Sequence, residues 1–169
     1  YVYYNLGEIY EKLIKTDQAI ENYSMSHQLH ENNHLLTYKL GLLLYENGQY
    51  KKALSYLREY LSFDNENIEV YEILGKVLLN LDRHPEAIDI YNKLLEFDSS
   101  NISYYKIIGQ LYWDLNKLPK AKEYFKKVLE LNEESGEILY FLGYIENLDN
   151  NFVSARDYFL TAIDCGYSH

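Results

Sequence analysis

One interval constrains this chain more than any other feature. Gly7, Gly41, Gly75, Gly109 and Gly143 follow one another at 34 residues, and Ala19, Ala53, Ala87, Ala121 and Ala155 keep the same interval. Each alanine lies twelve residues after its glycine. Leu6, Leu40, Leu74, Ile108 and Leu142 precede the glycines, and Tyr23, Leu57, Tyr91, Phe125 and Phe159 stand four residues after the alanines. Self-similarity at this period marks a stack of small structural repeats, each resting on its neighbours. The register divides the chain into repeats 1–33, 34–67, 68–101, 102–135 and 136–169 of a single array.

Each repeat reads as two helices. Leu36, Leu40, Leu43 and Leu44 in repeat 2 recur at helical spacing. A break follows at Gly48, Asp82, Asn116 and Asn150, residue types that tolerate a left-handed helix terminus, with Ile14 as the departure in repeat 1. Pro85 and Pro119 share one register position in the first turn of the second helix, where a missing N–H is harmless. Polar turns separate the repeats: Glu31-Asn32-Asn33, Asp64-Asn65-Glu66-Asn67, Asp98-Ser99-Ser100-Asn101 and Asn132-Glu133-Glu134-Ser135. The expected helices cover 2–14, 17–30, 35–47, 51–63, 68–81, 85–97, 102–115, 119–131, 136–149 and 152–164. A glycine inside a helix costs about 1 kcal/mol against alanine. Five of them at one position imply that two helices approach there too closely for a side chain.

With Tyr3-Leu6-Gly7-Tyr10-Ala19-Tyr23 and Tyr105-Ile108-Gly109-Tyr112-Ala121-Phe125 in this order and spacing, the chain resembles the tetratricopeptide repeat over its whole length. The resemblance implies an all-α fold, a right-handed superhelical solenoid of five helix-turn-helix hairpins. Two features depart from the family pattern. The proline that usually ends the second helix is replaced by Glu31, Asn65, Ser99, Glu133 and Tyr167. The second small position is Ser26 and Ala162 in the outer repeats but Tyr60, Leu94 and Val128 between them, which affects the packing expected near Tyr60.

The formal charge of −10 disfavours a phosphate backbone as partner. Cys165 is the single cysteine, which excludes an intrachain disulfide, and its register with Phe63, Phe97 and Leu131 makes it an expected core residue. No apolar run is long enough to cross a bilayer. Tyr1 falls in what reads as mid-helix, so the chain is expected to be part of a longer protein. His27, His30 and His34 cluster at the first inter-repeat turn, where a metal site competes with a solvated helix end. The second is preferred, because no motif fixes a carboxylate nearby. No phosphate loop, nucleophile elbow or paired-carboxylate motif is present, so neither enzyme activity nor a cofactor is expected.

In the family that the chain resembles, first helices line the concave side. The register then places Tyr4 and Asn5, Tyr38, Lys39, Leu42 and Tyr45, Ile73 and Lys76, Ile107, Gln110 and Trp113, and Tyr140, Phe141 and Tyr144 on one aromatic-lined groove. These positions are surplus to the hairpin contacts. Aromatic anchors among hydrogen-bonding groups are what peptide grooves use. The expected function is therefore a non-catalytic scaffold that binds a protein or peptide segment.

One subtype of the family clamps a terminal carboxylate with lysines, asparagines and an arginine. The matching positions here hold Tyr4, Glu8, Lys39, Glu69 and Ile73 from repeat 1. From repeat 2 they hold Tyr38, Leu42, Ile73, Ser103 and Ile107, and from repeat 3 Glu72, Lys76, Ile107, Glu137 and Phe141. None forms the clamp, so an internal segment is the expected ligand. Two alternatives stay open: a self-assembling segment, with a homodimer through the uncapped last repeat at Phe152, Phe159 and Ile163, or the substrate-recruiting arm of a larger enzyme.

Overall fold

A computed structural model of the chain describes residues 1–30, 33–131 and 135–167. The turn positions Glu31, Asn32, Asn132, Glu133 and Glu134 lie outside the described residues. The helices are α1 (Val2–Lys12), α2 (Thr16–Leu29), α3 (His34–Glu46), α4 (Tyr50–Leu61), α5 (Ile68–Asn80), α6 (His84–Phe97), α7 (Ile102–Asp114), α8 (Leu118–Glu130), α9 (Gly136–Leu148) and α10 (Phe152–Asp164). No strand occurs among the described residues. Every boundary falls within two residues of its expected place.

The chain divides into two compact units, Tyr1–Ile90 and Tyr91–His169, with the boundary inside α6. In the first unit α1 packs on α2, α2 on α3, α3 on α4 and α4 on α5, and α3 also meets α5. In the second, α7 packs on α8, α8 on α9 and α9 on α10.

The hairpins close through one backbone device. Gly48, Asp82, Asn116 and Asn150 have φ of 71°, 54°, 54° and 62°. Ile14 takes the same left-handed turn at φ 57°, although a β-branched residue is an outlier there. The departure seen in the sequence of repeat 1 is thus one of residue type only; the turn itself is kept.

The glycines sit where two helices meet. A Cβ at Gly7 would lie 2.5 Å from the Tyr23 ring, at Gly109 2.6 Å from Phe125, and at Gly143 2.8 Å from Phe159. Tyr23, Phe125 and the alanines Ala19, Ala53, Ala87 and Ala121 are fully buried. Close approach and bulky filler are two halves of one contact. The N-termini of α3 and α5 are capped by Asn33 and Asn67, whose side-chain oxygens accept from Leu36 N and Val70 N, both at 3.1 Å.

Three expectations are corrected. His27 is buried, with Nε2 3.0 Å from both Thr37 Oγ1 and Glu59 Oε1 and its ring edge-on to Tyr56. A carboxylate is therefore fixed beside it, from two helices further on, and the histidine joins α2, α3 and α4. Cys165 is exposed, because it caps the C-terminus of α10, a position that Phe63 and Phe97 also leave largely open. Phe159 is half-buried over Gly143 and beside Tyr140, so only Phe152 and Ile163 of the last repeat's three apolar residues stand in solvent. At Tyr60 the larger side chain is accommodated by a ring contact with Tyr38 at 5.1 Å and hydrogen bonds with Asp64 and Asn67.

Candidate protein-binding surface

In the first unit most of the expected surface residues are half-buried and already engaged. Tyr4 leans on the Tyr23 ring at 5.7 Å, and Asn5 is exposed. Tyr23 donates its hydroxyl to Glu11 Oε2 at 2.7 Å, and Lys39 Nζ reaches the same oxygen at 2.8 Å while lying over the Tyr23 ring. Burial, reinforced by the Glu11 carboxylate and offset in part by Lys39, pushes the Tyr23 phenol up to about 12. Burial alone would lower the Lys39 ammonium, but its bonds to Glu11 and Tyr23 outweigh that and hold it above the usual lysine range. Lys39 is thus a brace between α1, α2 and α3.

Tyr38 donates to Glu69 Oε2 at 2.9 Å, and burial first, then that carboxylate, pushes its phenol up to about 12. Leu42 and Tyr45 are half-buried, with the Tyr45 ring 6.1 Å from Tyr50. Lys76 is exposed. Ile73 is only 9 % exposed and belongs to the core. Its register direction is that of a surface residue, but its branched side chain is covered by its surroundings.

The second unit gathers its aromatics into a continuous cluster. Phe125 from α8 stacks on Phe141 from α9 with centroids 5.3 Å apart and planes 10° from parallel. Trp113 from α7 lies 4.6 Å from Phe141 and 5.3 Å from Tyr144, the latter edge-on. Tyr140 contacts Phe141, Phe159 and Tyr167. The cluster is dry at Phe125 and opens outward: Phe141 and Trp113 are half-buried and Tyr144 is 40 % exposed. Beside it Gln110 Nε2 donates to Asp114 Oδ1 at 2.8 Å, and Ile107 is half-buried one turn earlier. The structure thus brings together Trp113, Tyr140, Phe141 and Tyr144.

Some interacting residues escape a register reading. Tyr167 follows Gly166, which turns at φ 81°, and its N–H bonds Ala162 O. Its Cβ then lies where a side chain on Gly136 would go, 2.6 Å away. The pairing of a glycine after α10 with a glycine opening α9 was the available signal. Lys122 is a second case, bridging Glu146 Oε2 at 3.1 Å and Asp149 Oδ2 at 3.0 Å across α8 and α9. The buried Glu146 also accepts from Asn151. No described side-chain polar atom is buried without a partner, and no cluster of three or more metal-ligating side chains occurs among the described residues. None of the described helices is long and apolar enough to cross a membrane.

Comparison with known proteins agrees with this geometry. Residues 12–94 match the family described as anaphase-promoting complex, cyclosome, subunit 3, and residues 108–166 match a tetratricopeptide-repeat family. No curated protein matches the chain at a significant level. Among solved structures, MamA AMB-1 superposes with a TM-score of 0.74 at 19 % identity, covering 99 % of this chain and 92 % of that one. A further MamA structure gives 0.72 at 22 % identity over 96 % and 89 %. MamA from Desulfovibrio magneticus RS-1 gives 0.68 at 18 % over 96 % and 92 %. At these identities the likeness concerns the fold alone. The 34-residue register, the ten helices among the described residues and both family matches place the chain in the tetratricopeptide-repeat family, a generally non-catalytic fold of a type that suggests a scaffold for protein–protein interaction.

Proposed function

We propose that the chain binds an extended protein segment on the faces of its first helices, with the Trp113–Phe141–Tyr144 ledge of the second unit as the principal anchor. The observation that carries this reading is the gradient in that cluster. Phe125 and Phe141 fix its base by stacking, while Tyr144 keeps two-fifths of its surface in water. A rigid aromatic edge on a packed base gives contact area with little loss of rotamer freedom, as interface hot spots do. Asp114 and Gln110, next to Trp113 on α7, offer hydrogen bonds to a polar backbone or a basic side chain. In the first unit the half-buried Tyr38, Leu42 and Tyr45 and the exposed Lys76 are the further contact residues of this reading. The absence of a lysine–asparagine clamp favours an internal segment over a chain terminus.

Selection from a displayed random-peptide library tests the reading. The wild-type chain should enrich sequences with apolar anchors, and the Trp113→Ala/Tyr144→Ala variant should lose that enrichment at least 10-fold while its helical circular dichroism is kept. Equal enrichment by the variant would remove the ledge from the binding surface.

A further inference from the structure

One register position of the second helices is acidic in every repeat but one. It holds Glu21, Asp89, Glu123 and Asp157, and in repeat 2 it holds Ser55. The positions four residues before it and three after it change with it. Lys51 stands where the flanking repeats have Asp17 and Pro85, and Arg58 where they have Ser24 and Asn92. Spacings of four and three put Lys51, Ser55 and Arg58 on one face of α4, and all three are exposed. A chain of formal charge −10 thus presents, on one helix face, two cations and a hydroxyl in place of its usual acid.

That face borders an open cavity of about 370 Å³, lined by Lys51, Leu54, Ser55 and Arg58 of α4 and by Leu81 and Arg83 of the α5–α6 turn. The cavity lies wholly within the first unit, and no carboxylate lines it. Glu86 pairs with both guanidiniums, accepting from Arg58 Nη2 through Oε2 and from Arg83 Nε through Oε1. It engages one nitrogen of each fork and leaves the remaining N–H groups for a ligand. Lys51 has no ion-pair partner among the described residues. The Ser55 hydroxyl reaches Lys51 O at 3.5 Å, the outer limit of a hydrogen bond. Three cations and a hydroxyl therefore converge on one cavity, with a single carboxylate compensating them from outside its lining.

We propose that this cavity binds a phosphate monoester, carried by a phosphorylated serine or threonine of a partner protein. Such an ester bears about −1.5 to −2 charges at neutral pH and three acceptor oxygens, which suits three cations of which one is already compensated. The guanidinium forks supply directed pairs of donors, and the lysine adds a point charge. Leu54 and Leu81 give the carbon atoms next to the ester an apolar wall, which a bare phosphate ion would not use. A nucleic acid is disfavoured, because each further phosphate would meet the negative field of the rest of the chain. The site uses neither Trp113 nor Tyr144 and stands independently of the aromatic ledge.

Amide chemical shifts of the isotope-labelled chain test this, titrated with a short blocked peptide that carries phosphoserine among alanines. The amides of residues 51–58 and 81–83 should move and saturate. The same peptide with serine or glutamate in place of phosphoserine should bind about 10-fold more weakly or not at all. Ser55→Glu restores the acid of the other four repeats at an exposed position, so its helical dichroism should match wild type. It should weaken the phosphopeptide by about 10-fold or more, and Lys51→Gln by a smaller factor. Inorganic phosphate that binds as tightly as the phosphopeptide overturns the assignment to an ester. A short single-stranded RNA that moves the same amides at lower concentration overturns the choice of a protein partner. Shifts spread over the lysines of the whole chain, or a Ser55→Glu variant that binds like wild type, overturn the site itself.

Discussion

The junction of α2 with α3 in the first unit and that of α8 with α9 in the second occupy the same places in the repeat, yet they are built from opposite materials. In the first, Ile20 and Leu44 fill one seat and the His27–Thr37–Glu59 group fills another. Three repeats later the first seat holds Lys122 and Glu146, and the second holds Leu129 and the buried Leu139. The fold accepts a seat that is wholly apolar or wholly paired. What it excludes is a half-filled seat, because a buried group left without its partner carries the full desolvation penalty.

The largest effect should come from breaking one side of the second junction. Lys122→Ile takes the ion-pair partner from the buried Glu146 carboxylate, leaving Asn151 as its hydrogen-bond donor, and should cost about 3 kcal/mol in urea unfolding. Adding Glu146→Leu copies the Ile20/Leu44 pair and should return stability to within about 1 kcal/mol of wild type. A double variant as unstable as the single one would show that the two seats are not equivalent.

A smaller difference should separate two glycines. A methyl on Gly109 would press on the fully buried Phe125 ring, whereas on Gly41 it meets the end of Leu57, with Cδ2 at 2.8 Å. A ring held on both faces yields less than a leucine terminus. Gly109→Ala should lower stability by about 1–2 kcal/mol. Gly41→Ala should be nearly neutral, since the gain in helix propensity of about 1 kcal/mol offsets a smaller clash. Paired thermal melts decide it, and the opposite order would reverse the packing argument.

Acid should act on the paired seat and spare its apolar copy. Burial raises the Glu146 carboxyl, but Asn151 and Lys122 outweigh it and hold the group below its ordinary 4.5. A depressed carboxylate contributes stability that is complete above the unfolded value and is lost as pH falls below 4.5 through the folded value. Melting temperature against pH should therefore fall less steeply below 4.5 in Lys122→Ile/Glu146→Leu than in wild type. Identical slopes would assign the acid sensitivity to other groups, with Glu11 the next candidate.

The smallest effect concerns the hairpin turns. Ile14→Gly relieves a left-handed β-branched residue that is almost fully exposed, so no packing is lost. A left-handed conformation costs about 1–2 kcal/mol per non-glycine residue, and the added chain entropy of glycine returns about half of it. A net gain of about 0.5 kcal/mol is expected by calorimetry. A loss would mean that Ile14 has an apolar contact in solution.

The fold was legible because the information is periodic: helix ends, close contacts and left-handed turns recur at fixed distances, and each repetition corrects a weak local signal. Ile14 shows the strength of this, since its turn follows the register against its own preference. The surface was less legible. Register assigns a direction to each Cα, but whether the side chain stays free depends on what stands beside it. Ile73 points with the surface set and is covered, while Lys39 and Tyr38 are drawn into bonds with Glu11 and Glu69. His27 was misplaced for the same reason: its partners Thr37 and Glu59 come from later helices, 10 and 32 residues on. Tyr167 escaped because it acts through a left-handed turn after α10, at Gly166, that has no counterpart among the described inter-repeat turns.

Trp113 is the sole tryptophan in a chain with 20 tyrosines, and it lies wholly within the second unit against Phe141 and Tyr144. The protein therefore contains its own optical reporter with a restricted field of view. Selectively excited indole emission follows the state of α7 and α9, while far-ultraviolet dichroism averages over all the helices. Where the two signals trace one transition, the halves of the molecule melt as a single cooperative block; where they separate, the emission curve isolates the thermodynamics of the second unit without any label or truncation.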